Sequence, residues 1–176
     1  MYCCWERGQK VLAQLLKING ASKLTVAAPA GLKLDLMARL AADEVVAVDR
    51  NDAEVHRRRL GELSPNGFDY VVEATGAATM ADDAMRFVRR RGTILIYGVY
   101  PDDALGRFRL ADIQRRELSI KGSFAQIDCF PRALDYLESG MVKVDELVTH
   151  EFLLKDYQKA LELAWSRQGI KTVIIP

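Results

Sequence analysis

The sequence predicts an α/β protein built on a doubly wound parallel sheet, and two observations carry that reading. Short apolar runs alternate with stretches of helical periodicity, and the runs are too apolar for a sheet with one wet face. Such alternation implies parallel strands joined by right-handed helical crossovers. A chain of 176 residues suits one domain, a size that buries roughly 70% of the surface its unfolded form exposes.

Val11, Leu12, Leu15 and Leu16 form the first helical stripe, which Asn19-Gly20 stops. Leu24 to Ala28 reads as a short buried strand, and Leu32, Leu36 and Leu40 mark a second helix. Glu44 to Val48 is strand-like, Asp52 to Leu60 is a polar helix, and Pro65-Asn66-Gly67 is a turn before the strand Phe68 to Glu73. Met80, Ala84, Phe87 and Val88 give the next helical face, closed by Gly92, and Thr93 to Gly98 is a strand buried on both sides. Val99 to Gln114 is a long connection, followed by a strand over Leu118 to Phe124. Phe130, Ala133, Leu134 and Leu137 mark a helix with Pro131 in its first turn. Asp156 to Ser166 is a further helix, and Lys171 to Ile175 a final strand. The expected organisation is an atypical start over 1–10, the main sheet domain over 11–140 and a C-terminal segment over 141–176.

Composition excludes several classes. With 25 Lys and Arg against 24 Asp and Glu, the net charge of +1 gives no general attraction to nucleic acid or an anionic membrane. The runs Arg57-Arg58-Arg59 and Arg89-Arg90-Arg91 are expected to close helices on solvated faces, where cations suit the dipole. Three cysteines without repeated spacing argue against a disulfide framework and for a reducing compartment. No signal peptide or run of ~20 apolar residues is evident, so a cytoplasmic protein is expected.

Four ordered stretches carry a resemblance. Phe68-Asp69-Tyr70-Val71-Val72-Glu73-Ala74-Thr75-Gly76, Arg91 to Val99, Lys121-Gly122-Ser123-Phe124 and Gly169-Ile170-Lys171-Thr172-Val173 are similar to segments of medium-chain, zinc-dependent alcohol and polyol dehydrogenases. The sorbitol, arabinitol and threonine dehydrogenase branch matches best, over the C-terminal, cofactor-binding part. The resemblance implies a Rossmann-type fold that binds NAD or NADP and serves hydride transfer to or from a secondary alcohol or polyol. It implies that Ala74, Thr75 and Gly76 lie along the adenosine and ribose, and that Gly98 and Val99 approach the nicotinamide. Ser123 and Phe124 would complete that contact through their main chain, and Lys171 would reach the pyrophosphate. NAD-binding relatives place an acid at the end of the second strand. Here Ala28 stands there, with Lys33 placed to attract a 2′-phosphate, which tilts the expectation toward NADP. Copies of the chain are expected to pair through the strand near Leu118 to Phe124.

Zinc in the family polarises the substrate oxygen and is held by Cys, His and a carboxylate or second Cys of a barrel-like domain that this sequence is not expected to contain. His56 is expected at the surface, nothing near His150 completes a metal set, and Cys3-Cys4 is spaced too closely for ordinary chelation. No catalytic or metal-binding residue is therefore assigned. If Ala13-Gln14-Leu15-Leu16-Lys17 belongs to the first helix, the glycines of the phosphate-binding turn fall at Cys4, Glu6 and Gln9, and none is glycine. A glutamate there sets bulk and negative charge against an anionic ligand, although a helix N-terminus still offers N–H groups. Met1 to Trp5 either fill the slot of the first strand or leave the sheet split and the first strand missing. Three readings stay open: the cofactor-binding portion of a dehydrogenase, inactive by itself; a non-catalytic remnant or interaction module with weak or no nucleotide binding; and another Rossmann-like enzyme such as a methyltransferase, which the Lys121 to Phe124 and Gly169 to Thr172 matches weaken.

Overall fold

A computed structural model describes residues 2–4, 9–49, 51–124, 129–166 and 168–176. The chain divides into two compact units, Met1–Phe130 and Pro131–Pro176. The first carries β1 (Tyr2–Cys4), α1 (Gln9–Ile18), β2 (Thr25–Ala28), α2 (Leu32–Leu40), β3 (Glu44–Ala47), α3 (Ala53–Leu63), β4 (Phe68–Glu73), α4 (Ala78–Phe87), β5 (Val88–Ile96), α5 (Leu110–Arg116) and β6 (Ser119–Gly122). Its six strands are all parallel and lie in the order β3-β2-β1-β4-β5-β6. This is the doubly wound α/β fold that the alternation of apolar runs predicts.

The first strand is short but present. Tyr2, Cys3 and Cys4 pair with Thr25, Val26 and Ala27 on one side and with Val71, Val72 and Glu73 on the other, so the sheet is continuous through its centre. Trp5 and Glu6, the latter at a position expected for a motif glycine, lie outside the described residues.

Val71, Val72 and Glu73 of β4 are buried in succession, although neighbouring residues of a strand face opposite sides of the sheet. Val71 joins Ala27, Val46 and Ile94 in a cluster with Leu60 of α3 and Ala84, Met85 and Phe87 of α4. Val72 turns the other way, with Ala74, onto Leu12 and Leu16 of α1. The sheet is therefore covered on both faces, as its two-sided apolar strands require.

Four sequence-based expectations need correction. Arg89 to Arg91 do not close a helix: α4 ends at Phe87 and Val88 already has extended geometry, so β5 begins there rather than at Thr93. The pairing moves from Phe68↔Val88 to Tyr70↔Thr93, so residues 89–92 bulge out of the ladder. The arginines hold this bulge by ion pairs, Arg89 Nε to Asp69 Oδ1 at 2.6 Å and Arg91 Nε to Glu117 Oε2 at 2.5 Å. Arg57 to Arg59 likewise sit inside α3, where Arg57 Nη2 lies 2.7 Å from Asp83 Oδ2 of α4. His56 is only 3% exposed, because its ring occupies the inward face of α3 while Val55 points outward. Within the expected connection over Val99 to Gln114, α5 begins at Leu110.

The second unit contains most of α6 (Phe130–Glu138), together with β7 (Val148–Leu153), a short 3-10 turn (Leu154–Asp156), α7 (Tyr157–Ser166) and β8 (Lys171–Ile175). β7 and β8 form their own parallel pair. β7 was not legible in sequence: Val148-Thr149-His150-Glu151 gives no apolar run, and its order comes from β8 and from Thr149 Oγ1, which accepts the Ile170 amide at 2.9 Å.

Candidate functional site

The sheet register brings the C-terminal ends of its strands level. Cys4 pairs with both Ala27 and Glu73, Glu73 with Ile96, and Ile96 with Gly122. Between β1 and β4 the strand order reverses, and in open α/β sheets the crevice outside the carboxyl ends at that point is where ligands bind.

The segments that leave β4 and β5 are pressed together there. Gly76 has φ +76, and a Cβ on it would stand 2.1 Å from the Val99 carbonyl oxygen. A Cβ on Gly98 would stand 2.2 Å from the Gly76 nitrogen and 2.8 Å from Glu73 Oε2. Only two glycines let these backbones approach so closely. The Glu73 carbonyl accepts the amides of Tyr97 at 2.8 Å and Gly98 at 3.0 Å, which continues the ladder past the strand ends.

Glu73 was not singled out by sequence reasoning, although an acid closing an apolar strand is a legible signal. It is 1% exposed. Oε1 accepts the Thr75 amide at 2.7 Å and the Thr75 hydroxyl at 2.5 Å. Oε2 accepts the Gly76 amide at 3.4 Å and the Tyr100 hydroxyl. A buried carboxylate needs such donors, because unpaired it would forfeit its hydration.

Of the residues marked in sequence, Ala74, Thr75, Gly76, Gly98 and Val99 come together at this junction. Ser123 follows β6, its amide donating to the Ile96 carbonyl at 3.1 Å, and Phe124 comes next. Val99 and Phe124 are 88% and 93% exposed, leaving large apolar surface at the strand ends. Ala28 closes β2 and is buried, and Lys33 lies half-buried in the first turn of α2. Lys171 opens β8 in the second unit, and its side chain is exposed.

A further lysine was missed. Lys10, in the first turn of α1, is 5% exposed, and burial, then the charge of Lys33, push its pKa down to about 8. Among the described residues no three His, Cys, Asp or Glu side chains gather as a metal site. His150 Nδ1 instead lies 2.9 Å from Thr149 Oγ1. No helix among them is long and apolar enough to cross a membrane.

The strand order, the covered faces and the close glycine approach between the segments leaving β4 and β5 define a Rossmann-type α/β protein. The chain belongs to the zinc-binding dehydrogenase family, whose model matches residues 10–139. It is 47% identical over 167 residues to D-arabinitol dehydrogenase 1 of Uromyces fabae, across 94% of this chain and 48% of that protein. Erythritol/L-threitol dehydrogenase of Mycolicibacterium smegmatis is 30% identical across 82% of this chain and 39% of its own length. The chain thus spans about half the length of the curated relatives it matches. A Sinorhizobium meliloti protein described as a zinc-binding dehydrogenase, solved bound to NADP, superposes with a TM-score of 0.88 over 99% of this chain and 51% of its own, at 22% identity, a likeness of fold alone.

Proposed function

We propose that this chain is the C-terminal, dinucleotide-binding portion of an NAD(P)-dependent oxidoreductase acting on a polyol or other secondary alcohol. The observation that carries the reading is the backbone contact of Gly76 with Gly98 and Val99 at the switch point of the sheet. A flat, anionic ligand there needs backbone without side chains in its way, apolar surface for its ring and cations for its phosphates. Val99 and Phe124 offer the apolar surface, and the main chain of Val99, Ser123 and Phe124 suits a carboxamide. Ala74, Thr75 and Gly76 flank the adenosine and ribose side. A bound nicotinamide supplies the hydride acceptor or donor, and the residues named here orient it. Zinc is not assigned to any described residue, since none gather as a ligand set, and no catalytic residue is named. We assign 11–140 to the cofactor and 141–176 to a surface packed toward a zinc-holding domain of a cytoplasmic enzyme, with copies pairing through the edge strand β6.

NADP is favoured over NAD. Ala28 removes the acid that would repel a 2′-phosphate, and the influence of Lys33 on Lys10 places two ammonium groups near enough to repel. An anion brought between them relieves that repulsion. Titration with NADPH and with NADH, followed by nicotinamide fluorescence, should show tighter binding of NADPH. Lys33→Glu should weaken NADPH about tenfold, the worth of one lost charge-assisted contact, and leave NADH nearly unchanged. No fluorescence change with either at millimolar ligand would remove the reading. It would favour the non-catalytic module, which the absence of glycine at Cys4 and Gln9 supports.

A further inference from the structure

We infer that Glu73 is a positioning residue: its buried carboxylate clamps the segment after β4 to the segment after β5 and so sets the shape of the crevice outside the strand ends. The inference rests on the proposed cofactor reading of that crevice, but its geometry stands by itself. Oε1 is used by Thr75, through both amide and hydroxyl, and Oε2 is shared between Gly76 of the first segment and Tyr100 of the second. The Glu73 carbonyl holds Tyr97 and Gly98 as well, so this residue bonds to both sides of the junction through main chain and side chain. Thr75 extends the clamp, since its hydroxyl oxygen accepts the Ala77 amide at 2.9 Å before α4 begins.

The clamp has a reason to exist. The stretch from Tyr97 to Arg109 has few backbone hydrogen bonds of its own beyond Tyr97, Gly98 and the Ala104 amide on Pro101. Side-chain oxygens supply its anchorage: Glu73 takes the Tyr100 hydroxyl, and Asp82 Oδ1 takes the Arg107 amide at 2.5 Å. Val99, next to Tyr100, projects almost wholly into solvent. The Tyr100 tether holds the chain on one side of that valine, and the Glu73–Gly98 main-chain bond holds it on the other. A ring laid against Val99 is therefore positioned by a carboxylate it need not touch.

Glu73→Gln keeps the size but turns an amide NH2 toward groups that are themselves donors. Tyr100→Phe removes the side-chain bridge and leaves the main-chain bonds of Glu73 to Tyr97 and Gly98 in place. Backbone amide exchange in the intact chain reads the clamp without any ligand. Both variants should raise exchange at residues 75–77 and 97–100 together by about tenfold or more, with amides of β2 and central β5 unchanged. Adding Tyr100→Phe to Glu73→Gln should then produce little extra. Uniformly faster exchange across the sheet, or Tyr100→Phe leaving residues 75–77 as protected as before, would overturn the clamp. NADPH affinity is the second readout, and it should fall about tenfold in both variants. Unchanged affinity in a variant whose segments have loosened would also overturn the positioning role. If the unaltered chain binds neither dinucleotide, the cofactor reading fails, and the exchange experiment alone decides the clamp.

Discussion

At the scale of single residues, the two buried bases are where the fold conflicts most with local chemistry. Lys10 has a folded pKa near 8 against 10.5 when unfolded. Between those values the unfolded chain holds a proton that the folded chain has released, so stability rises with pH across that window. At pH 7 the buried ammonium costs about 3 kcal/mol relative to a neutral side chain. Lys10→Met should therefore stabilise the ligand-free chain by roughly that amount and flatten its stability profile above pH 8; denaturant midpoints at pH 7 and pH 10 check both. His56 behaves in the same direction at lower pH. Burial, then Arg57, hold its imidazole below 6.5. The unfolded chain is protonated first as the pH falls through 6.5, so stability is full above that value and declines on the acid side. His56→Gln should lessen the loss of urea midpoint between pH 7.5 and pH 5.5. Neither burial was legible in sequence. Lys10 and His56 sit among polar neighbours, and only the packing of α1 and α3 onto the sheet turns them inward.

At the scale of elements, the sheet was legible and its joints were not. Strands such as Thr25–Ala28 and Phe68–Glu73 announce themselves because they are covered on both faces. The start of β5 was hidden because Arg89-Arg90-Arg91 resembles a solvated helix end. Its bulged form, with Arg91 at φ 59, is met by partners distant in sequence, Asp69 and Glu117, and by Arg116, whose guanidinium bonds the Met85 carbonyl at 2.7 Å and also the Val88 carbonyl. The candidate site divides in the same way. Gly76 and Gly98 could be marked from sequence, but the reason for them is an approach between two segments. That approach predicts a cost. A methyl on Gly98 would meet Gly76 backbone that has no room to yield, so Gly98→Ala should destabilise the chain by about 3 kcal/mol, near the top of the range for overpacking. Gly76→Ala adds the strain of positive φ and should cost at least as much. Gly20→Ala, with positive φ but open space around it, provides the comparison and should cost only about 1 kcal/mol. Thermal unfolding of the three variants orders them.

At the scale of the whole molecule, the two units are unequally equipped. Pro131–Pro176 is a short stretch in which Val142 and Ala160 are the buried apolar residues among those described. Leu134, Leu137, Met141 and Trp165 remain exposed, and α6 buries none of its residues while α7 buries Ala160. Units below about 40–60 residues are marginal even with a well-filled core. The first unit, by contrast, buries a continuous cluster from Ala27 to Leu118. The chain should therefore not unfold as a single cooperative block. Hydrogen exchange in mild denaturant should release β7 and β8 well before β2, β4 and β5, and a dinucleotide should raise protection at the strand ends of the first unit. The expected gain in global stability is about 2.7 kcal/mol at a ligand concentration one hundred times Kd. Release of β7 and β8 together with β2, β4 and β5 at one denaturant concentration would overturn this expectation.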